Sequence, residues 1–144
     1  MTIKKIIPSE HQEQSAIIQW AKVNEHVYPQ LSVLYAVPNA SKRSIGNAQY
    51  CKSEGLRSGV PDLCLPIKNK DYGCLYIEMK RSDRRTQKSA VTVEQQEFIN
   101  NLNKFGAKAV VCYSFDEARD VILEYLGNIN QHECALLGKI LNYS

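Results

Sequence analysis

The run Leu75-Tyr76-Ile77-Glu78-Met79-Lys80 decides how this chain is read. Apart from Glu78 and Lys80 it is apolar and rich in strand-forming residues, so it reads as a strand buried in a sheet. Residues two apart in a strand share a face. Glu78 and Lys80 therefore project together, and Met79 points the other way, into a core. A carboxylate inside such a run is more often paired or functional than idle. The competing reading is an exposed Glu-Lys pair on a solvated sheet end.

Upstream, Asn69-Lys70-Asp71-Tyr72-Gly73 has turn composition, and a second strand is expected over Asp62 to Ile67. The two make a hairpin, which sets the Asp62 carboxylate beside that of Glu78. Downstream, the charged segment Arg81 to Ala90 reads as a loop. Thr92 caps a helix with Phe98, Ile99, Leu102 and Phe105 on its apolar side, stopped at Gly106, and Ala107 to Tyr113 forms a further strand. A strand-helix-strand unit of this kind crosses over right-handedly and pairs its strands in parallel.

The flanks complete the fold class. Ser9-Glu10-His11-Gln12 reads as a capping box opening a first helix, with Ile17, Trp20, Ala21 and Asn24 on one face and Pro29 at its end. Leu31 to Val37 reads as a strand stopped by Pro38-Asn39, and Ser41 to Ser53 as a basic helix closed by Gly55. Ser114 caps a helix burying Ala118, Val121, Ile122 and Tyr125. Asn128 to Ser144 suggests a short tail helix through Ala135, Leu136, Ile140 and Leu141. The expectation is an α/β domain with a mixed central sheet flanked by helices. It is one domain over 1–144, with a core of about 9–126 and a helical tail over 128–144.

Composition narrows the function classes. The 144 residues are 44% hydrophobic and 23% charged, ordinary for a globular domain able to bury a core. No apolar run is long enough to span a bilayer, and Lys4 and Lys5 are not followed by a signal core. The five cysteines include no CxxC pair and no Cys-His cluster, which argues against a disulfide framework or a structural zinc site. Reduced thiols in a cytoplasm-like compartment are expected. The net charge of +3 says little. The distribution says more: Lys42, Arg43, Lys52 and Arg57 precede Asp62, and Lys80, Arg81, Arg84, Arg85 and Lys88 follow Glu78.

Two adjacent carboxylates repel and are costly to desolvate unless a cation sits between them. A hard divalent ion such as Mg²⁺ or Mn²⁺ meets that need with oxygen ligands. A neighbouring lysine can then orient water or stabilise charge developing on a phosphate, and these are the parts of phosphodiester hydrolysis.

Gly59-Val60-Pro61-Asp62-Leu63 followed by Tyr76-Ile77-Glu78-Met79-Lys80 resembles the PD-(D/E)xK nuclease superfamily, and more narrowly the VRR-NUC family, often phage-encoded. The resemblance runs from about Ser9 to about Leu126. It implies a restriction-endonuclease-like core, with Asp62, Glu78 and the backbone carbonyl of Met79 as metal ligands and Lys80 as the catalytic lysine. Gln95 matches a glutamine that supports the site, although Thr92-x-x-Gln95 is equally a capping box. A first-helix glutamate is also implied, for which Glu10 is preferred to Glu13. Lys42, Arg43, Lys52 and Arg57 on one side, with Arg81, Arg84 and Arg85 on the other, are candidates for phosphate contacts; a solvated charged loop is the alternative for the last two. Stand-alone members resemble homodimeric Holliday-junction resolvases. That implies a homodimeric Mg²⁺- or Mn²⁺-dependent endonuclease of branched or structured DNA, in a host cytoplasm if phage-encoded. Two other readings stay open: a nuclease-like module that binds nucleic acid without cutting, and a sequence-specific restriction-type endonuclease.

Overall fold

The computed structural model describes residues 5–38, 49 and 51–129. Helix α1 (Glu10–Asn24) leads through a 3-10 turn (Pro29–Val33) to strand β1 (Tyr35–Ala36). Strands β2 (Leu63–Leu65) and β3 (Leu75–Met79), helix α2 (Val93–Lys104), strand β4 (Lys108–Cys112) and helix α3 (Phe115–Gly127) follow. The four strands lie in the order β1-β2-β3-β4. β1/β2 and β2/β3 are antiparallel and β3/β4 is parallel, so the sheet is mixed, with hairpin and crossover as expected.

The two faces of the sheet are built differently. Leu75, Ile77 and Met79 of β3 join Leu63 and Leu65 of β2, Ile17 and Ala21 of α1, and Ala118, Ile122 and Tyr125 of α3 in one buried cluster. Each fully buried aliphatic side chain there contributes about 1.5–3 kcal/mol. This is the structural face. The alternate residues of β3, Tyr76 and Glu78, project to the opposite face, where α2 delivers Gln95.

Turn chemistry fixes the hairpin register. The side-chain oxygen of Asn69 accepts from the amides of Asp71 and Tyr72, at 3.0 and 2.8 Å, the local bond that makes asparagine a turn residue. β2 stops at Leu65, short of the expected Ile67, because Pro66 has no N–H to give the ladder. The Ile67 carbonyl instead accepts the Tyr125 hydroxyl at 2.5 Å.

Three expectations need correcting. Leu31 to Val37 is not one strand: Pro29 opens the 3-10 turn rather than ending a helix, and pairing is limited to Tyr35 and Ala36. Proline's fixed φ suits a first helical turn, and Leu31 reaches the core from it, 2% exposed. Phe105, expected on the buried side of its helix, is 80% exposed; it is the C-cap of α2, where the chain turns at Gly106 with φ +97°. β3 ends at Met79, although the Lys80 amide still donates to the Cys112 carbonyl at 2.8 Å. The start of the basic helix, with Lys42 and Arg43, and the tail helix lie outside the described residues. Residues 51–53 are helical, and the turn closes at Gly55 with φ +101°.

No disulfide links Cys51, Cys64, Cys74 and Cys112. Among the described residues no helix is long and apolar enough to cross a membrane.

Candidate active site

The β2/β3 register pairs Leu63 with Ile77, so Asp62, one step earlier, lies across from Glu78, one step later. Directly opposed residues of an antiparallel pair put their side chains on the same face. An Asp62 Oδ atom accepts the backbone N–H of Met79 at 2.8 Å, and the Asp62 carbonyl accepts from Val37 at 2.8 Å. The first bond stitches the carboxylate to the strand bearing Glu78. In an extended strand the N–H and C=O of one residue share an edge. The Met79 carbonyl therefore also faces the Asp62 side, while its side chain is buried in the core.

Glu78 is 2% exposed and Lys80 7%. The Lys80 Nζ lies 3.0 Å from Glu78 Oε1, and the Gln95 side-chain amide donates to the same oxygen at 2.6 Å. Both donors thus engage Oε1. The other oxygen, Oε2, is buried with no hydrogen-bond partner. Burial and the Asp62 carboxylate, with a smaller push from Glu10, raise the Glu78 pKa to about 7 against the opposing pull of Lys80. A buried charge acceptor with one oxygen engaged and one bare costs stability.

Gln95 serves two roles at once. Its amide oxygen accepts from the Thr92 N–H at 2.9 Å and its own N–H donates to the Thr92 hydroxyl at 3.2 Å, a complete capping box. The remaining amide nitrogen reaches Glu78. Both readings left open by the sequence hold together.

Gly59, at the head of the segment that carries Asp62, was not singled out beyond its place in the motif. Its φ is +83°, and a Cβ placed there would lie 2.4 Å from the Glu94 carbonyl oxygen and 2.9 Å from the Gln95 nitrogen. The Asp62 segment thus rests directly on the first turn of the Gln95 helix, an approach only glycine permits.

The VRR-NUC domain model matches residues 4–116. The chain belongs to the VRR-NUC family. A solved structure described as a VRR_NUC domain protein superposes on it with a TM-score of 0.71 at 27% identity, covering 89% of this chain and 94% of that one. No curated protein matches it. The domain is of nuclease type, on an α/β nuclease-like fold.

Two glutamates of this VRR-NUC domain's first helix separate clearly. Glu13, 8% exposed, accepts the Phe115 N–H at 2.7 Å and so satisfies an open amide at the start of α3. Glu10, three residues earlier, lines a cavity of about 370 Å³ with His11, Gln14, Ile18 and Asp62.

The basic residues divide as well. Arg81 pairs with Asp83 through two bonds of 3.0 and 3.1 Å, and Arg84 donates to Gln87 at 2.7 Å. Arg85 pairs with Glu117 and stacks 4.9 Å over the Tyr113 ring. Glu117, unnoticed in the sequence, also accepts the Tyr113 N–H at 2.6 Å. Each of these loop arginines thus has a partner of its own, and Arg84 and Arg85, like Lys52, Arg57 and Lys88, remain exposed.

Proposed function

We propose that the chain is a divalent-metal-dependent endonuclease that hydrolyses DNA phosphodiester bonds. The observation that carries this reading is the bare, buried Oε2 of Glu78 on the face shared with Asp62, with the Lys80 ammonium on the other oxygen.

The donor set suits a hard cation. Asp62, Glu78 and the Met79 carbonyl offer only oxygen. Among the described residues no group of three or more His, Cys, Asp or Glu gathers to hold a metal. Mg²⁺ needs no such group: it is usually held by one or two carboxylates with waters and substrate phosphate filling the rest. These three groups would hold the ion. When bound, it would lower the pKa of a water molecule and screen phosphate charge.

The protein's own contribution is placement. Lys80 keeps an ammonium at Nζ beside the Glu78 carboxylate, where it can donate to a phosphate oxygen as negative charge builds. Gln95 and Lys80 both engage Oε1 and leave the buried Oε2 without a hydrogen-bond partner among the described residues. Asp62 is held by the Met79 amide, which fixes its carboxylate beside the strand that carries Glu78. Glu10 lines the cavity that Asp62 also borders. Lys52, Arg57, Arg84, Arg85 and Lys88 are exposed cations that can meet phosphates, so binding should weaken steeply with salt. A branched or otherwise structured DNA substrate and a homodimeric enzyme are part of the proposal, supported by the resemblance to junction resolvases.

The test is cleavage of supercoiled plasmid and of a four-way junction in Mn²⁺, comparing wild type with Glu78→Ala and Lys80→Ala. Cleavage by wild type and a loss on the order of a thousandfold in either variant, with DNA binding retained, is the expected result. Binding without cutting by all three proteins would instead make it a silent nucleic-acid-binding module. Discrete fragments from a long duplex would point to sequence specificity.

A further inference from the structure

Beside the candidate site the structure holds a groove of about 480 Å³, lined by Arg57, Tyr76, Phe98, Leu102 and Phe105. The catalytic reading makes no use of it. Gln95, Phe98, Leu102 and Phe105 fall at helical spacing on one side of α2. That side begins at the glutamine holding Glu78 and leads away from it. On the sheet, Tyr76 projects from the same face as Glu78, about 7 Å down the strand. Tyr76 marks the end of the groove nearer the carboxylates, while Cys74 and Phe105 lie about 13–15 Å from Glu78 and Gln95 along strand and helix, a span of a few nucleotides.

Its lining is unusual for a helix packed on a sheet. α2 meets its core requirement with Ile99, 5% exposed, yet Phe105 is 80% exposed. The Lys104 ammonium stands 5.4 Å over the Phe105 ring, and the Arg57 side chain, itself exposed, borders the groove. Aromatic rings interleaved with cations are what single-stranded nucleic acid requires: rings stack on bases, and cations neutralise the phosphates between them. A paired base inside a duplex keeps its faces covered by its neighbours and cannot enter; an unpaired or extruded base can.

We propose that this groove receives an unpaired nucleobase of the DNA strand whose phosphate lies at Glu78, so that the enzyme selects DNA with unpaired bases within a few nucleotides of the cut. The inference rests on the nuclease reading for the phosphate position.

Binding is measured without metal, so no cleavage is needed. One probe is a duplex with a single-stranded arm carrying 2-aminopurine beside the branch; the other is the fully paired duplex of the same sequence. The 2-aminopurine emission should fall when wild type binds the armed probe, and should not fall with Phe105→Ala. The Phe105→Ala variant should lose roughly tenfold in affinity for the armed probe while its duplex affinity stays within about twofold. Arg57→Ala should weaken both probes, with a shallower salt dependence. Phe105 is exposed, so its truncation leaves the core intact. Equal loss on both probes, or unchanged emission and affinity, overturns the proposal. So does a Phe105→Ala variant whose single change is from dimer to monomer in sedimentation, because the groove then seats a second copy. If selectivity is seen but wild type never cuts in Mn²⁺, the hydrolytic reading fails and the groove stands.

Discussion

Helices α1 and α2 begin with the same device. Ser9-x-x-Gln12 and Thr92-x-x-Gln95 are both complete capping boxes, with the hydroxyl accepting the amide at 3.2 Å in each. The glutamine oxygen returns the bond at 2.8 Å in one and 2.9 Å in the other. Gln12 is exposed and makes no further hydrogen bond among the described residues. Gln95 spends its remaining N–H on the buried Glu78 carboxylate. Local sequence makes the cap; what the cap touches is decided by where the sheet puts the helix start.

The largest expected effect attacks what makes the second cap different. Gly59→Ala drives a Cβ into the Glu94–Gln95 backbone at a position that already demands positive φ. Destabilisation of about 2–4 kcal/mol is expected by chemical denaturation, with cleavage falling further than the folded fraction. A normal melting curve would mean that the two segments are not held as close as described.

Glu78→Gln should act in the opposite direction on stability. The Glu78 pKa is raised, from the usual 4.5 to about 7, so the folded protein keeps a proton that the unfolded chain releases between those values. Stability therefore declines as pH rises through that window, and the full penalty, about 3 kcal/mol, is present above it. Without metal, Glu78→Gln should melt higher than wild type at pH 8, with the gap closing toward pH 4.5. Thermal melts across that range check the sign; a variant less stable at pH 8 refutes it.

The direct contrast is Gln95→Ala against Gln12→Ala. Each should cost about 0.5–1 kcal/mol as a lost cap. Gln95→Ala should in addition lower cleavage and metal affinity by roughly 10–100-fold, as supporting partners of a ligand do. Titration of Mg²⁺ by calorimetry separates the two; equal metal binding would reduce Gln95 to a cap.

Much of this was legible in the sequence because it depends on period and turns. The alternation around Glu78, the Asn69–Gly73 turn and the parallel crossover follow from two-residue periodicity and helix-stop signals. They place Asp62 opposite Glu78 without further information. The rest depends on contacts distant in the chain. Glu10 and Glu13 are three residues apart on one helix, and their difference is set by the start of α3. The arginines after Glu78 look like a phosphate-binding run, yet Arg81 and Arg85 meet Asp83 and Glu117, and the second partner lies on another helix. Phe105 sits at helical spacing with core residues, but the helix ends beneath it. Lys42 and Arg43 lie where the structure gives no description.

The bond from Phe115 to Glu13 spans 102 residues. It ties α1, which lines the cavity that Asp62 borders, to the start of α3. During synthesis the first helix can coil early, since its cap is local, but it cannot seat against its final neighbour until Phe115 has left the ribosome. A nascent chain that already contains Asp62, Glu78 and Lys80 is thus still without the scaffold that holds Glu10 beside them. The architecture completes the scaffold around Glu10 only when the start of α3 is in place.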